Sequence, residues 1–102
     1  MYVRLTYCEF VPSRIKDAKG VYMEEIVPVV SSQKGLIDLM LLEPTEPSNE
    51  YIAVTLWKTK ADSDAYVFSG TFHRMVTKIE SFLAKPPFVK AYYAEKLLVP
   101  TL

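Results

Sequence analysis

The sequence is poor in several features, and each scarcity excludes a class of protein. Cys8 is the only cysteine, so no disulfide can form within the chain. No run of apolar residues has more than four members, as at 39–42, far fewer than the roughly 20 that span a bilayer. Twelve basic residues balance twelve acidic ones, so no net charge attracts nucleic acid or an anionic membrane. We therefore predict no nucleic acid and no membrane among its partners.

The first residues and the missing motifs narrow the possibilities further. Arg4 and Glu9 interrupt the apolar stretch that a secretory signal needs, so a cytoplasmic protein is predicted. The chain has no Gly-rich phosphate loop, no zinc-type spacing of cysteine and histidine, and no Ser/His/Asp order with a confirming context. Nucleotide, zinc and common hydrolase chemistry are therefore disfavoured.

Apolar surface is what the sequence has in abundance. A chain of 102 residues is too short for two independent cores, so residues 1–102 are predicted to form one domain. Half of the residues are hydrophobic, which is more than a small monomer readily hides. This excess favours a homodimer in which each subunit covers an apolar face of the other.

Hydrophobic periodicity and turn residues predict the element order βαββαβ. The first helical pattern begins near Arg14, and Pro28 is expected to kink or end it. Gly35 is predicted to lie just past the end of the helix. The second is predicted to be capped by Asp62 and broken near Gly70. Strands are predicted over residues 2–11, 36–43, 50–58 and 88–96. This order is typical of the ferredoxin-like α+β fold, whose antiparallel sheet carries both helices on one face.

The opposite face of such a sheet needs a cover. Among the aromatic residues of the predicted strands are Tyr51, Trp57, Phe88 and Tyr92, and several of these four are expected to point to this uncovered side. The apolar tail, residues 97–102, is predicted to reach across onto a second subunit.

The most specific pattern of the chain lies between Glu50 and His73. An apolar strand runs into a tryptophan, a polar turn with aspartate follows, and a helix carries a tyrosine, a serine and the only histidine. This layout resembles the antibiotic-biosynthesis-monooxygenase-like family of small dimeric α/β-barrel proteins. The matching residues are Trp57, Thr59, Asp62, Ala65, Tyr66, Ser69 and His73.

The resemblance implies a fold, an activity and a set of site residues. The fold would be a dimeric α/β barrel in which two ferredoxin-like sheets pack face to face. The activity would be that of a small monooxygenase that needs no cofactor and acts on an aromatic or polyketide-like molecule. Trp57 and Tyr66 would wall the substrate cavity, Arg74 would bind the substrate, and His73 would be the catalytic proton handler. Histidine is the side-chain type that titrates near neutrality without help.

These residues also have plain structural interpretations. Trp57 could be a core or interface aromatic that needs no ligand. His73 neighbours the apolar stripe of its helix and could be a partly exposed residue without a chemical role. Cys8 lies among apolar neighbours and is interpreted as a buried structural thiol rather than a nucleophile.

Two other functions stay open on the same fold. One is a non-catalytic small-molecule binding or sensor protein, because a fold does not settle function. The other is a divergent heme-binding or heme-degrading relative. Heme-degrading members have an Asn on the first strand, which here has none, and an axial histidine closer to the tryptophan than His73 is. Quinone-forming members have an Asn where this chain has Ala53. A pocket lined by Trp57, Tyr66 and His73 would favour catalysis or ligand binding over a structural role.

Overall fold

The computed structural model describes residues 1–98. Its strands are β1 (Tyr2–Glu9), β2 (Leu36–Leu42), β3 (Glu50–Trp57) and β4 (Phe88–Tyr93). Its α-helices are α1 (Ile15–Val21), α2 (Val27–Ser31), α3 (Lys60–Phe68) and α4 (Thr71–Ile79). A π-helical turn, Tyr22–Ile26, joins α1 to α2, and short 3-10 turns occupy Pro12–Arg14 and Glu80–Phe82. Among the helices of the described residues, none has the length and apolar character needed to cross a membrane.

The strands form a single antiparallel sheet in the order β2-β3-β1-β4. With the helices packed against one face, this is the ferredoxin-like α+β fold that the sequence predicts. Strands β1 and β4 end earlier in the chain than predicted, at Glu9 and Tyr93. Beyond β1, Phe10 still makes an isolated bridge with Leu83, so the chain leaving the sheet is tied to the end of the second helical region.

The first helical region is less regular than its pattern suggests. Pro28 does not end it, because the proline lies in the first turn of α2, directly after the π-helical turn. In that position the missing backbone N–H of proline has little cost. Gly35 follows the helix with a φ of 83°, as expected for a glycine that reverses the chain after a helix.

The second helical region is divided as predicted, but its cap differs. Gly70 has a φ of 85° and separates α3 from α4. The N-cap of α3 is Thr59 rather than Asp62: the Thr59 hydroxyl accepts a hydrogen bond from the Asp62 backbone N–H at 3.1 Å. Asp62 lies in the first turn instead, where its charge favours the positive end of the helix dipole.

The two faces of the sheet differ in polarity, and the more polar face is the one that the helices cover. On β1, Arg4, Thr6 and Cys8 face the helices, and the intervening positions are apolar and face away from them. The same alternation holds on β3, where Ala53 and Thr55 face the helices. The face without helices therefore carries the apolar row, which comprises Val3, Leu5, Tyr7, Ile52, Val54 and Leu56. A monomer would place its polar row outside, so this sheet is patterned for a cover on its open face.

The strand aromatics divide between the two faces. Trp57 is fully buried in the core beneath the helices, and Tyr51 packs edge-on against Phe10 in the same core, so neither points to the open face. Phe88 lies opposite Tyr7 on the open face and stacks on it, with ring centroids 4.7 Å apart. Tyr92 pairs with β1 on that face as well. Of the apolar tail, residues 97 and 98 are exposed, and residues 99–102 lie outside the described residues.

Candidate functional site

A cavity of about 60 Å³ lies between the helices and the sheet and is partly open to solvent. The sheet side is formed by β1, β2 and β3, and the other side by α1, the π-helical turn, α2, α3 and α4. Most of its surface is apolar, from side chains such as Ile26, Val30, Leu39, Leu41, Met75 and Ile79. A few polar groups interrupt this surface, which is the usual composition of a small-molecule site.

Within residues 1–98, Arg4 is the charged group of the cavity that has no ion-pair partner. Lys19 also lines the cavity, but its ammonium pairs with the carboxylate of Glu43. The Arg4 guanidinium instead lies over the ring of Phe72, with its central carbon 4.8 Å from the ring centroid. Burial lowers the pKa of Arg4 from its ordinary value, because loss of water disfavours the charged form. A guanidinium still remains protonated in proteins, so the cavity contains a partly dehydrated cation.

Tyr22 supplies a buried hydroxyl from the π-helical turn. Its hydroxyl oxygen is shielded from solvent and has no hydrogen-bond partner within residues 1–98. Burial raises the pKa of Tyr22 to about 12, so the hydroxyl keeps its proton at neutral pH and can donate. Single π-helical turns frequently occur at functional sites, and this one contributes Tyr22 and Ile26 to the cavity lining.

Tyr66 reaches the cavity from α3 and is held by two aromatic neighbours. Its ring centroid is 5.1 Å from that of Trp57 and 5.9 Å from that of Phe72. Burial raises the pKa of Tyr66 to about 12, although the charge of Arg4 opposes the shift. Tyr66 therefore offers a second phenolic donor beside the guanidinium.

Trp57 supports the cavity from behind rather than lining it. Its indole N–H donates a hydrogen bond to the Thr55 hydroxyl oxygen at 2.8 Å, and its ring packs on Tyr66. Both partners line the cavity. Since Thr55 accepts from the indole, its own proton remains available to donate. Trp57 thus fixes the orientation of two polar groups of the site.

Cys8 lines the cavity but is poorly suited to nucleophilic chemistry. Its side chain is buried, and burial raises the pKa of the thiol to about 11. A thiol with such a pKa is protonated at neutral pH, and only the thiolate is a strong nucleophile. The structure therefore agrees with a structural thiol.

The two remaining residues proposed from the sequence lie outside the cavity. His73 is exposed on α4 and does not line it. Arg74 is also exposed, and its guanidinium donates to the Thr71 hydroxyl oxygen at 3.0 Å, close to the break at Gly70. The catalytic role of His73 and the substrate contact of Arg74 stay predictions, and this arrangement does not bring either residue to Tyr66 in the cavity.

Arg4, Tyr22 and Thr55 are polar site residues that sequence reasoning missed. The strict alternation of Arg4, Thr6 and Cys8 with Val3 and Leu5 was a usable signal, since it puts one arginine in a row of small polar residues. Nothing in the sequence says that this row faces the helices. The π-helical turn at Tyr22 also has no sequence signature of its own.

The described residues offer little to a metal or a heme. Residues 1–98 contain no cluster of three or more His, Cys, Asp or Glu side chains able to hold a metal ion. Heme iron is bound in proteins by histidine, thiolate, methionine or tyrosinate. Within the described residues Met75 lines the cavity but no histidine does. Burial raises the pKa of the Cys8 thiol and of the two cavity tyrosines, which disfavours the thiolate and tyrosinate forms that bind iron. The described cavity therefore lacks the axial histidine that heme-degrading members use.

The sequence and fold together assign the chain to a family. The sequence model of the family described as antibiotic biosynthesis monooxygenase matches residues 3–78, and the chain belongs to that family. None of the curated proteins matches the chain.

Solved structures with the same fold are similar over nearly their whole length. A candidate antibiotic biosynthesis monooxygenase from Bordetella bronchiseptica is 19% identical, with a TM-score of 0.78 over 95% of this chain and 97% of that chain. A second candidate of the same description, from Deinococcus radiodurans, is 8% identical, with a TM-score of 0.81 over 99% of each chain. A conserved protein from Methanosarcina mazei is 14% identical, with a TM-score of 0.78 over 93% and 94%. At these identities the likeness concerns the fold.

Proposed function

We propose that the protein is a small cofactor-independent monooxygenase that oxidises an electron-rich aromatic or polyketide-like molecule. The observation that carries the proposal is the partly open, largely apolar cavity with phenolic donors, in a chain of the antibiotic biosynthesis monooxygenase family. An aromatic ring would be bound by the apolar walls, and its oxygen substituents by Tyr66 and Thr55.

Such a reaction requires few dedicated groups from the protein. A phenol is oxidised to a quinone when one atom of O₂ enters the ring and the other leaves as water. All four electrons come from the substrate, so neither flavin nor metal has to supply them. The protein has to hold the ring away from water and stabilise the negative charge that develops on its oxygen. The donor hydroxyl of Tyr66, in an apolar surrounding, meets the second need.

The expected effect of Tyr66→Phe tests this proposal. Oxygen consumption and quinone absorbance are measured with a panel of naphthols and other electron-rich phenols, and the rate without protein is subtracted. The natural protein should accelerate oxidation of at least one of them. Loss of one donor hydrogen bond, worth about 1.4 kcal/mol, should lower kcat/KM roughly tenfold. Tyr93→Phe removes the same hydroxyl from an exposed tyrosine on β4 and should leave the rate unchanged.

His73→Ala decides between the two proposed locations of the chemistry. Its exposed position predicts unchanged turnover, whereas the role proposed from the sequence predicts a loss. A large loss in His73→Ala, with full activity in Tyr66→Phe, would contradict a reaction within this cavity.

A second function, non-catalytic binding of a small molecule, is favoured by one observation. Within the described residues, the cavity is lined by no histidine and no carboxylate, so it offers no general base of the common kinds. A binding protein needs none. Saturable binding of an aromatic ligand, with no oxygen consumed above the rate without protein, would select this alternative.

We also propose that the protein is a homodimer that pairs its open sheet faces. The support is the apolar row on that face, together with the stack of Tyr7 on Phe88. Exposed apolar side chains extend the row to the edge strand: Met40 and Leu42 are each 43% exposed. A second copy presents the same apolar row, so one face is complementary to the other in a twofold arrangement. The small aromatic partner and the cytoplasmic location stay predictions.

Met40→Glu tests the dimer. Because Met40 is already partly exposed on the open face, the charge should be tolerated by the monomer fold and opposed only by the pairing of two faces. Sedimentation equilibrium should show a dimer for the natural protein and a dissociation constant at least tenfold higher for the variant. Met23→Glu makes the same change at an exposed position of the π-helical turn and should leave the dimer intact. Equal association of the two variants would place the interface elsewhere.

A further inference from the structure

We infer that the cavity binds an aromatic anion, with the negatively charged oxygen at Arg4 and a second oxygen at the Tyr22 hydroxyl. The inference rests on the proposed function and names its substrate class. The ligand would be an aromatic acid or an ionised phenol rather than a neutral ring. Two independent features of the cavity support it, one a charge and the other a hydrogen-bond donor.

The first feature is a cation inside the cavity without an anion. Within residues 1–98, Arg4 forms no salt bridge, and its guanidinium makes no hydrogen bond. Asp64, the carboxylate whose charge opposes the lowering of the pKa of Arg4 by burial, is engaged with the Lys60 ammonium at 2.7 Å. A guanidinium has five N–H donors in a planar fork that matches a carboxylate. A partly dehydrated charge of this kind is stabilised by an incoming anion.

The contact with Phe72 does not remove this requirement. A ring face attracts the positive charge of a guanidinium lying over it, but it accepts none of the N–H groups at the guanidinium edge. Phe72 also restricts the orientation of the Arg4 side chain. The guanidinium is therefore held in place before a ligand arrives, which reduces the entropy lost on binding.

The second feature is a buried donor without an acceptor. The Tyr22 side chain lines the cavity, and its hydroxyl oxygen is shielded from solvent and unpartnered within the described residues. Buried hydroxyls are usually hydrogen-bonded, so an unpaired one in a cavity wall suggests that a ligand supplies the acceptor. Arg4 comes from the sheet and Tyr22 from the helical layer, so a ligand held by both would be oriented across the cavity.

The size of the cavity limits how the ring is accommodated. Its volume of about 60 Å³ is well below the roughly 150 Å³ of an engineered cavity that holds benzene. An aromatic ligand must therefore use the open side as well.

Protein-observed NMR titration with matched small probes tests the inference. ¹⁵N-labelled protein is titrated with benzoate and with benzamide, which have similar shapes but differ in charge. We expect benzoate to bind at least tenfold more tightly and to shift the amide signals of β1 and the π-helical turn. A separate titration with 4-nitrophenol, below and above the pH at which it ionises, distinguishes the two sources of an anionic oxygen. Tighter binding only of the ionised form identifies a phenolate site, whereas a preference for benzoate alone identifies a carboxylate site.

Variants assign the preference to the two side chains. Arg4→Gln should abolish the preference for the anion, and Arg4→Lys should retain part of it because the charge is kept. Tyr22→Phe should weaken benzoate and benzamide by the same several-fold factor, since a neutral hydroxyl serves both. Arg14→Gln is the matched control: Arg14 lies over the Phe82 ring, 4.6 Å from its centroid, but outside the cavity. It should bind both probes as the natural protein does.

The outcomes separate this inference from the proposed function. Equal affinity for benzoate and benzamide, with no pH dependence of nitrophenol binding, overturns the inference. The same conclusion follows if Arg4→Gln keeps the preference for the anion. Arg4-dependent binding without any oxygen consumption overturns the monooxygenase proposal and leaves the ligand class standing. Turnover of neutral aromatics that is unaffected by Arg4→Gln supports the monooxygenase proposal and overturns the inference that the ligand is an anion.

Discussion

Trp57→Ala is expected to destabilise the protein by about 3–5 kcal/mol, the usual cost of deleting a buried aromatic side chain. Trp57 is completely shielded from solvent, packs on Tyr66, and donates to Thr55. The substitution leaves a cavity in the core and removes the partner of the Thr55 hydroxyl. Against a total stability of about 5–15 kcal/mol, this loss is a large fraction. Urea unfolding followed by circular dichroism measures it, because the variant lacks the only tryptophan as a fluorescent probe.

Two further variants make the result interpretable. Phe68→Ala removes an aromatic ring that is 82% exposed on α3, and its effect should stay within about 0.5 kcal/mol. Trp57→Phe keeps much of the volume and loses the indole donor, so it should fall between the two and remain folded. All proteins are compared at one concentration, because association would add to the apparent stability. A cost for Trp57→Ala no greater than that for Phe68→Ala would show that the core is not organised around the indole.

Gly35→Ala is expected to be the most damaging of the three possible glycine-to-alanine changes. Gly35 has a φ of 83°, and a methyl group there would overlap the carboxylate of Asp62 at the start of α3. The left-handed conformation alone costs a residue with a side chain about 1–2 kcal/mol. The overlap adds to this, because either Asp62 or the loop before β2 has to move. We expect a total loss above about 2 kcal/mol in urea unfolding.

The other two glycines provide the controls. Gly70 has nearly the same φ, 85°, but a methyl group would meet only the flexible Arg74 side chain at 3.4 Å. Gly70→Ala should therefore cost about 1–2 kcal/mol, from the backbone alone. Gly20 lies within α1 with nothing inside 4 Å, and its replacement by alanine should stabilise the protein by about 0.5–1 kcal/mol. If Gly35→Ala cost no more than Gly70→Ala, the close approach of Asp62 to Gly35 would have no energetic consequence.

Local sequence patterns predicted most of the secondary structure. The break at Gly70 and the exit at Gly35 follow from the conformational freedom of glycine, which acts within a few residues. Predictions were less accurate where the outcome depended on neighbours in space. Asp62 and Thr59 are both good capping residues, and the backbone angle on entering α3 selected Thr59. Pro28 was tolerated because the preceding π-helical turn placed it where no N–H is needed.

The candidate site was predictable only in part. Of the two residues predicted to wall the cavity, Tyr66 lines it and Trp57 packs behind Tyr66, because a strand that runs into a helix brings residues at its end against the first turns of that helix. His73 lies outside the cavity because the side of α4 that faces the cavity carries Phe72, Met75 and Ile79. Periodicity gives the apolar stripe of a helix, but it does not say which flanking residue borders a cavity.

The sequence by itself determined the element order, the family, and the existence of one apolar and one polar row on the first strand. These properties depend on local propensity and on the period-two alternation of a strand, both of which can be followed along the chain. Only the tertiary structure decided that the polar row faces the helices. That orientation encloses Arg4 with Tyr22 and leaves the apolar row uncovered. The reason is that alternation fixes which residues share a face, whereas the side on which the helices pack decides what each face meets.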